Sequence, residues 1–295
     1  MYDIIHTFKA SSVNDVLELL SSNSDAMLVA GGTDVMIRMR ERKLRQASLI
    51  SLLDIPDLKT ISLREDGAIV IGAGACFTEI SENTIVLEKI PMLAHACRQV
   101  GSPQIRNIAT IGGNICNGAV SADSVPSLYA LDAELELWGK DGSRLVPIRK
   151  FHTGPGQTVL QKDRELLTAI IIPLSSYAHH GGCYIKFGQR NAMEISTLGC
   201  AVNVSLTGDK KHIEKAAIAF GVAAPVPMRC AKVESLLIGA EINEEMFFTV
   251  RENILEGLKP RDSWRASLEL RRQLIREMSV RALKQAIINA GGSLQ

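Results

Sequence analysis

Two glycine-rich segments carry the clearest chemical signal in this sequence. Ala30-Gly31-Gly32-Thr33-Asp34 directly follows an apolar run, and Thr110-Ile111-Gly112-Gly113-Asn114 lies further along the chain. Glycine lets a backbone come close to a ligand and adopt positive φ. N–H groups exposed in such a turn, especially at the start of a helix, bind phosphate oxygens. Thr33 and Thr110 add hydroxyl donors. A single Gly-Gly pair ahead of a helix is most often a tight turn. Two such pairs, each flanked by a threonine, suit the gripping of a diphosphate from both sides.

Other catalytic signatures are missing. There is no G-x-x-x-x-G-K-[ST] stretch, so a Walker loop is excluded. Gly72-Ala73-Gly74 follows a strand-like run, but Phe77 stands where a dinucleotide fingerprint needs its third glycine. Neither G-x-S-x-G nor H-E-x-x-H occurs. The histidines are scattered apart from His179-His180, which read as solvated loop residues. The six cysteines, Cys76, Cys97, Cys116, Cys183, Cys200 and Cys230, form no C-x-x-C pair. A zinc site, an iron–sulfur cluster or a disulfide framework held by this chain is therefore not expected, and buried free thiols are.

The elements that must position these loops follow from the hydrophobic pattern. Residues 1–58 read as a small α/β unit. Ser12 and Asp15 form an S-x-x-D helix start, Ala26 to Ala30 a buried strand, Val35 to Arg42 a helix and Ser48 to Leu52 a second strand. In residues 59–176, Ala68 to Ala73 is a strand, and helices begin at Thr78 and at Pro91. Ala133 to Trp138 and Arg144 to Ile148 alternate as strands around Asp141-Gly142, and Leu167 to Ile172 is a further strand stopped at Pro173. From residue 177 the pattern changes. Tyr184 to Gly188, Leu198 to Leu206 and Ile213 to Gly221 read as a three-stranded antiparallel sheet, followed by helices to the end. The last helix, Trp264 to Asn289, keeps one apolar face through Leu268, Leu274, Ile275, Met278, Leu283 and Ile287.

Composition narrows the function classes. With 33 Lys+Arg against 32 Asp+Glu the net charge is +1, which argues against a nucleic-acid binder working by phosphate neutralisation and against a polybasic membrane anchor. The nearly apolar stretch Ala216 to Met228 contains Pro225 and Pro227 and is too short to span a bilayer. Residues 1–10 show no basic cluster followed by an apolar run. A soluble, cytoplasmic chain is the expectation, with no nucleic acid and no membrane insertion.

The same residues resemble the molybdenum-hydroxylase flavoproteins. Leu28 to Asp34 is similar to that family's first FAD loop, and Gln104 to Ile115 to its second. Asp123 stands where the family keeps an acid, and Phe220 to Pro225 with Pro227 and Arg229 resembles the start of its carboxy-terminal domain. Asn114 to Ala119, Phe151 to Gly156 and Ser263 to Ser267 look like the flavin subunits of bacterial purine-hydroxylating members. The resemblance implies an α+β fold: a two-subdomain FAD-binding domain of the p-cresol-methylhydroxylase type (1–58 and 59–176), then a carboxy-terminal α+β domain (177–295). It implies FAD contacts from Met27, Leu28, Val29, Ala30, Gly31, Gly32, Thr33 and Asp34, and from Thr110, Ile111, Gly112, Gly113 and Asn114. Asp123, Leu167, Lys186 and Val100 fall at further contact positions. Read from the residues alone, Asp123 fits a helix cap and Lys186 a solvated strand lysine; beside a reduced flavin, Lys186 would stabilise negative charge.

The function implied is electron transfer. A molybdopterin-binding large subunit would oxidise a purine, and 2Fe-2S clusters on a small subunit would carry electrons to FAD on this chain. NAD⁺ would be the acceptor, and no residue here would act as acid or base on the purine. Cys116, just past the second loop, would lie near the flavin. Two alternatives differ in class: a self-contained FAD reductase or oxidase of the same domain type, and a cofactor-free scaffold that docks partner subunits.

Overall fold

The computed structural model describes residues 2–294. The amino-terminal unit is a parallel sheet of three strands: β1 (Ile4–Lys9), β2 (Met27–Val29) and β3 (Ala47–Ser51), in spatial order β1-β3-β2. Its crossovers are α1 (Val13–Ser22) and α2 (Val35–Arg40). Ser12 caps α1 by accepting from the Asp15 N–H at 3.1 Å, and the Asp15 carboxylate reaches back to Ser11 N–H at 2.8 Å. β1 is almost wholly exposed, which is why no burial pattern announced it in the sequence.

The central unit is an antiparallel sheet of five strands in order β4-β5-β10-β6-β7. β4 (Ile61–Leu63) and β5 (Ile69–Gly72) lead into a helical run: α3 (Phe77–Glu82), α4 (Thr84–Lys89), α5 (Pro91–Arg98), α6 (Pro103–Arg106), α7 (Ile111–Asn117) and α8 (Ser124–Ala130). The chain returns through β6 (Glu134–Gly139) and β7 (Gly142–Pro147), a small hairpin of β8 (His152–Gly154) and β9 (Gln157–Thr158), and β10 (Glu165–Ile172). Gly139 pairs with Gly142, so the β6–β7 turn is Lys140-Asp141, one residue earlier than expected. β10 is buried at every position, and its one acid, Glu165, is held by a two-pronged Arg144 contact at 2.7 and 2.9 Å.

The third unit corrects the sequence reading of its sheet. Four antiparallel strands are present, not three: β11 (His180–Phe187), β12 (Leu198–Leu206), β13 (Ile213–Gly221) and the two-residue β14 (Met228–Arg229). Pro227 disguised β14 by suggesting a loop. His180 opens β11 and is not a free loop residue. Helices α9 (Ala231–Leu237), α10 (Glu244–Asn253) and α11 (Leu268–Asn289) follow, and α11 starts four residues later than expected because Ser267 caps it. Alternate residues of the sheet face opposite ways. Leu198, Cys200, Val202 and Val204 pack in the core built by α9–α11, whereas Tyr184, Ala201, Ala217 and Ala219 join the core of the central unit. β12 is buried along its whole length because both faces are covered. Among the described residues, no helix is long and apolar enough to cross a membrane and no disulfide forms.

Candidate functional site

The first glycine loop leaves β2 at Val29 and enters α2 at Val35. Gly31 is required by a close approach: a Cβ there would lie 1.8 Å from the Ile108 carbonyl oxygen and 2.9 Å from the Ala109 Cα. Ile108 and Ala109 immediately precede the second loop, so Gly31 seats one loop against the other. Gly32 sits at φ +70°, a left-handed conformation that suits glycine. Among the described residues, the N–H groups of Gly31, Gly32, Thr33 and Asp34 donate to no protein atom. They form an open row at the start of α2, and the Asp34 side chain, at the cap position, makes no capping bond.

The second loop is built differently. Ile111 N–H donates to Ala75 O at 3.1 Å and Gly112 N–H to Ala73 O at 2.9 Å. Gly113 N–H donates to the Thr110 hydroxyl at 3.2 Å, and Asn114 N–H to Thr110 O at 3.0 Å. Thr110 is thus the N-cap of α7, and Gly112 and Gly113 form that helix's first turn. A Cβ on Gly112 would lie 2.6 Å from Ala73 O, so this glycine serves the packing of α7 on the end of β5. What Thr110 keeps for a ligand is its own N–H and its hydroxyl proton. The Asn114 side-chain oxygen accepts from the Ser124 hydroxyl at 2.8 Å, which ties this loop to the start of α8.

Asp123 lies at that start, 7% exposed, and does not cap the helix. Its carboxylate accepts from Tyr184 Oη at 2.9 Å, from the Ser196 hydroxyl, and from Lys186 Nζ at 2.7 Å. Tyr184 and Lys186 are two apart on β11 and so share its face toward the central unit. Lys186 also donates to Gln99 O at 2.9 Å, beside Val100. It is an ion-paired residue with a side chain 10% exposed, not a solvated lysine. Burial pushes the Asp123 carboxyl up, while Lys186, Ser196 and Tyr184 pull it back down. Burial and the adjacent carboxylate hold the Tyr184 hydroxyl well above its usual range, so it stays a donor.

The structure therefore brings together the two loops, Asp123, Lys186 and the Val100 segment. Leu167 is set apart: it is 3% exposed, packed in the core opposite Leu137 on β6. Its neighbour Thr168 accepts from Ala73 N–H, and Ala73 is the residue on which Gly112 rests. Cys116 lies inside α7, and burial pushes its thiol up to about 12, so it is inert as a thiolate. Tyr184, Ser196, Gln99 and Ser124 were not singled out by sequence. Tyr184 had a signal, its place two residues before Lys186 on an expected strand; Ser196 had none. A cavity of about 420 Å³ is lined by other residues, among them Asp132, Arg149, His180, Asn203 and Arg229, and by none from the two loops.

The fold and this site define a class. The family described as the FAD binding domain in molybdopterin dehydrogenase matches residues 3–175, and the CO dehydrogenase flavoprotein C-terminal domain matches residues 184–286. The chain belongs to this flavoprotein family. It is 40% identical over 295 residues, all of both chains, to the xanthine dehydrogenase FAD-binding subunit of Escherichia coli O157:H7. It is 31% identical over 278 residues to the carbon monoxide dehydrogenase medium chain of Hydrogenophaga pseudoflava, covering 93% of this chain and 94% of that one. The solved carbon monoxide dehydrogenase of H. pseudoflava contains a chain that superposes with a TM-score of 0.91 at 28% identity, covering 98% and 99% of the two chains. The residues present fit FAD: an open row of amides for the diphosphate, close-packed glycines that admit it, and a buried Asp–Lys pair with polar hydrogens beside it.

Proposed function

We propose that this chain holds FAD in a purine-oxidising molybdenum hydroxylase. A molybdopterin-binding large subunit would supply electrons through 2Fe-2S clusters on a small subunit, and NAD⁺ would be the final acceptor. The observation that carries this reading is the 40% identity to a xanthine dehydrogenase FAD-binding subunit along the entire length of both chains. Bound FAD would supply the chemistry, taking electrons from the clusters and passing hydride to NAD⁺.

The chain's own residues bind and orient. The unpaired N–H groups of Gly31 to Asp34, with Thr110 opposite, are the donors offered to the diphosphate. The second loop is the rigid wall, since its remaining amides are already held by Ala75, Ala73 and Thr110. Met27, Leu28, Val29 and Ala30 carry the first loop out of the sheet; Leu167 and Ile111 support the wall from the core. Lys186 brings positive charge to the site, and Asp123 fixes its ammonium through a 2.7 Å contact. That pair, with Tyr184 and Ser196, presents a polar floor without a free acid or base.

The test is co-expression with the neighbouring chains of its genome. The expected product is a yellow-brown complex that releases FAD, contains iron and molybdenum, and reduces NAD⁺ with xanthine. Nicotinate, aldehydes and carbon monoxide serve as competing substrates, and oxidation of one of these in place of xanthine would reassign the substrate. Absence of flavin from an assembled complex would overturn the reading of the loops.

A further inference from the structure

The segment ahead of α11 and its first turns hold an uncompensated concentration of positive charge. Residues 259–276 contain Lys259, Arg261, Arg265, Arg271, Arg272 and Arg276 against only Asp262 and Glu269, in a protein whose net charge is +1. Arg271 is 2% exposed, yet no carboxylate holds it. Its guanidinium donates to the Thr197 carbonyl and to the Ser263 hydroxyl at 2.8 Å, and its Nε–H has no partner. The Arg265 Nε–H is also buried without a partner. Among the described residues, no ion pair includes Arg261, Arg265 or Arg271.

An unpaired buried charge is costly, and Arg271 also lies in the first turn of a helix, where the dipole disfavours a cation. Burial, Arg261 and Arg265 all hold its guanidinium below the usual range, and Asp262 offsets them only in part. Asp262 is itself engaged with the Leu268 N–H. The nearby Glu194 is bound to Arg190. The carboxylates beside the cluster, Asp262 and the Glu194 that also feels Arg265, are thus both already engaged elsewhere. The cluster also has a flat neighbour: the Trp264 ring is 78% exposed, with the Arg265 guanidinium 4.3 Å from its centroid. And it adjoins the site above. Thr197, which accepts from Arg271, follows Ser196, which donates to Asp123, the partner of Lys186.

We propose that Arg261 and Arg265, backed by the buried Arg271, bind the diphosphate of the dinucleotide electron acceptor, with Trp264 as the stacking surface for its base. Arginine forks match phosphate oxygens in pairs, and an indole face accepts a purine. The assignment rests on the NAD⁺ reading of the proposed function. It favours a nucleotide over an acidic protein surface because the exposed Trp264 ring beside Arg265 joins a flat stacking face to the positive charge.

The test uses the assembled, FAD-loaded complex and an Arg261→Gln/Arg265→Gln variant. The substitutions lie on exposed or half-buried side chains, and FAD content reports that the fold is intact. The expected result is a rise of about tenfold in KM for NAD⁺, as two charge-assisted contacts are lost. Efficiency with NAD⁺ relative to a phosphate-free phenazinium dye falls by the same factor. ADP-ribose and inorganic pyrophosphate bind the wild-type complex by calorimetry and bind the variant more weakly. An unchanged KM for NAD⁺ would overturn the site and leave the NAD⁺ reading standing. A wild-type complex that ignores NAD⁺ but binds ADP-ribose through these arginines would keep the phosphate site and overturn the acceptor. Loss of a partner subunit from the variant would assign the arginines to subunit docking and overturn the proposal.

Discussion

The two glycine loops differ in what their backbone amides do. Gly31 to Asp34 leave their N–H groups without protein acceptors, while Ile111 to Asn114 spend theirs on Ala75, Ala73 and Thr110. Gly31 allows one loop to touch the other; Gly112 allows a helix to rest on a strand end. One loop therefore keeps its amides open, and the other has committed its own to the scaffold. The lesson is that a glycine pair signals close approach, and only the tertiary partner tells whether the approach is by ligand or by protein.

The largest expected effect tests that division directly. Gly31→Val would drive a side chain into the Ile108 carbonyl, a backbone atom that cannot yield, and should exceed the ~1–3 kcal/mol of ordinary overpacking. FAD content of the purified complex should fall below about a tenth of wild type. If FAD remains bound in full, the first loop is not the cradle. Lys186→Met should come next, because it leaves the Asp123 carboxylate buried and unpaired. The expected loss is about 3–5 kcal/mol in urea unfolding, with most of it restored in the Asp123→Asn/Lys186→Met double variant. Failure of the double variant to recover would mean that the pair is not what holds this floor together.

Gly112→Ala sharpens the contrast. It should cost about 1–3 kcal/mol of stability yet leave FAD stoichiometry in the folded fraction close to wild type. Loss of FAD at full stability would make the second loop a binding loop as well. The smallest effect concerns His152, which anchors the closed loop. Its Nε2–H donates to the Ile115 carbonyl at 3.1 Å, and in the neutral ring that burial favours Nδ1 accepts from Tyr129 Oη at 3.1 Å. Burial holds its pKa below the usual value, with the Ile115 carbonyl opposing. The unfolded chain then takes up the proton first, so this stability is present above about pH 6.5 and is lost as pH falls below it. Unfolding midpoints measured between about pH 5 and 8 should show that slope in wild type and a shallower one in His152→Gln.

Much of this arrangement was legible in the sequence. The first loop stood out because its glycine pair followed an apolar run and the second because its pair was flanked by a threonine, and β12 and β13 were readable as strands from their largely apolar residues. The state of the amides was not, since it depends on Ala73 and Ala75, which the chain brings in from far upstream of Thr110. The Asp123–Lys186 pair spans two units and has no local pattern; each residue alone reads as a cap or a solvated lysine. β14 was missed because two residues beside a proline carry no periodicity. Leu167, a cofactor contact by resemblance, lies in the core of the central unit, on a strand buried at every position, so burial gives that residue no local signal of its own.

One consequence of the Asp123 contacts concerns synthesis. Asp123 follows both glycine loops in the chain, but Tyr184, Lys186 and Ser196 come from the start of the carboxy-terminal sheet. A ribosome releases the loops first and the lysine much later. During that interval the nascent chain carries the amide row and the acid but not the cation or the two hydroxyls that hold the acid in place. On the proposed site, secure capture of the cofactor would therefore wait until β11 and β12 have emerged and docked, so a chain truncated before them should leave the ribosome colourless.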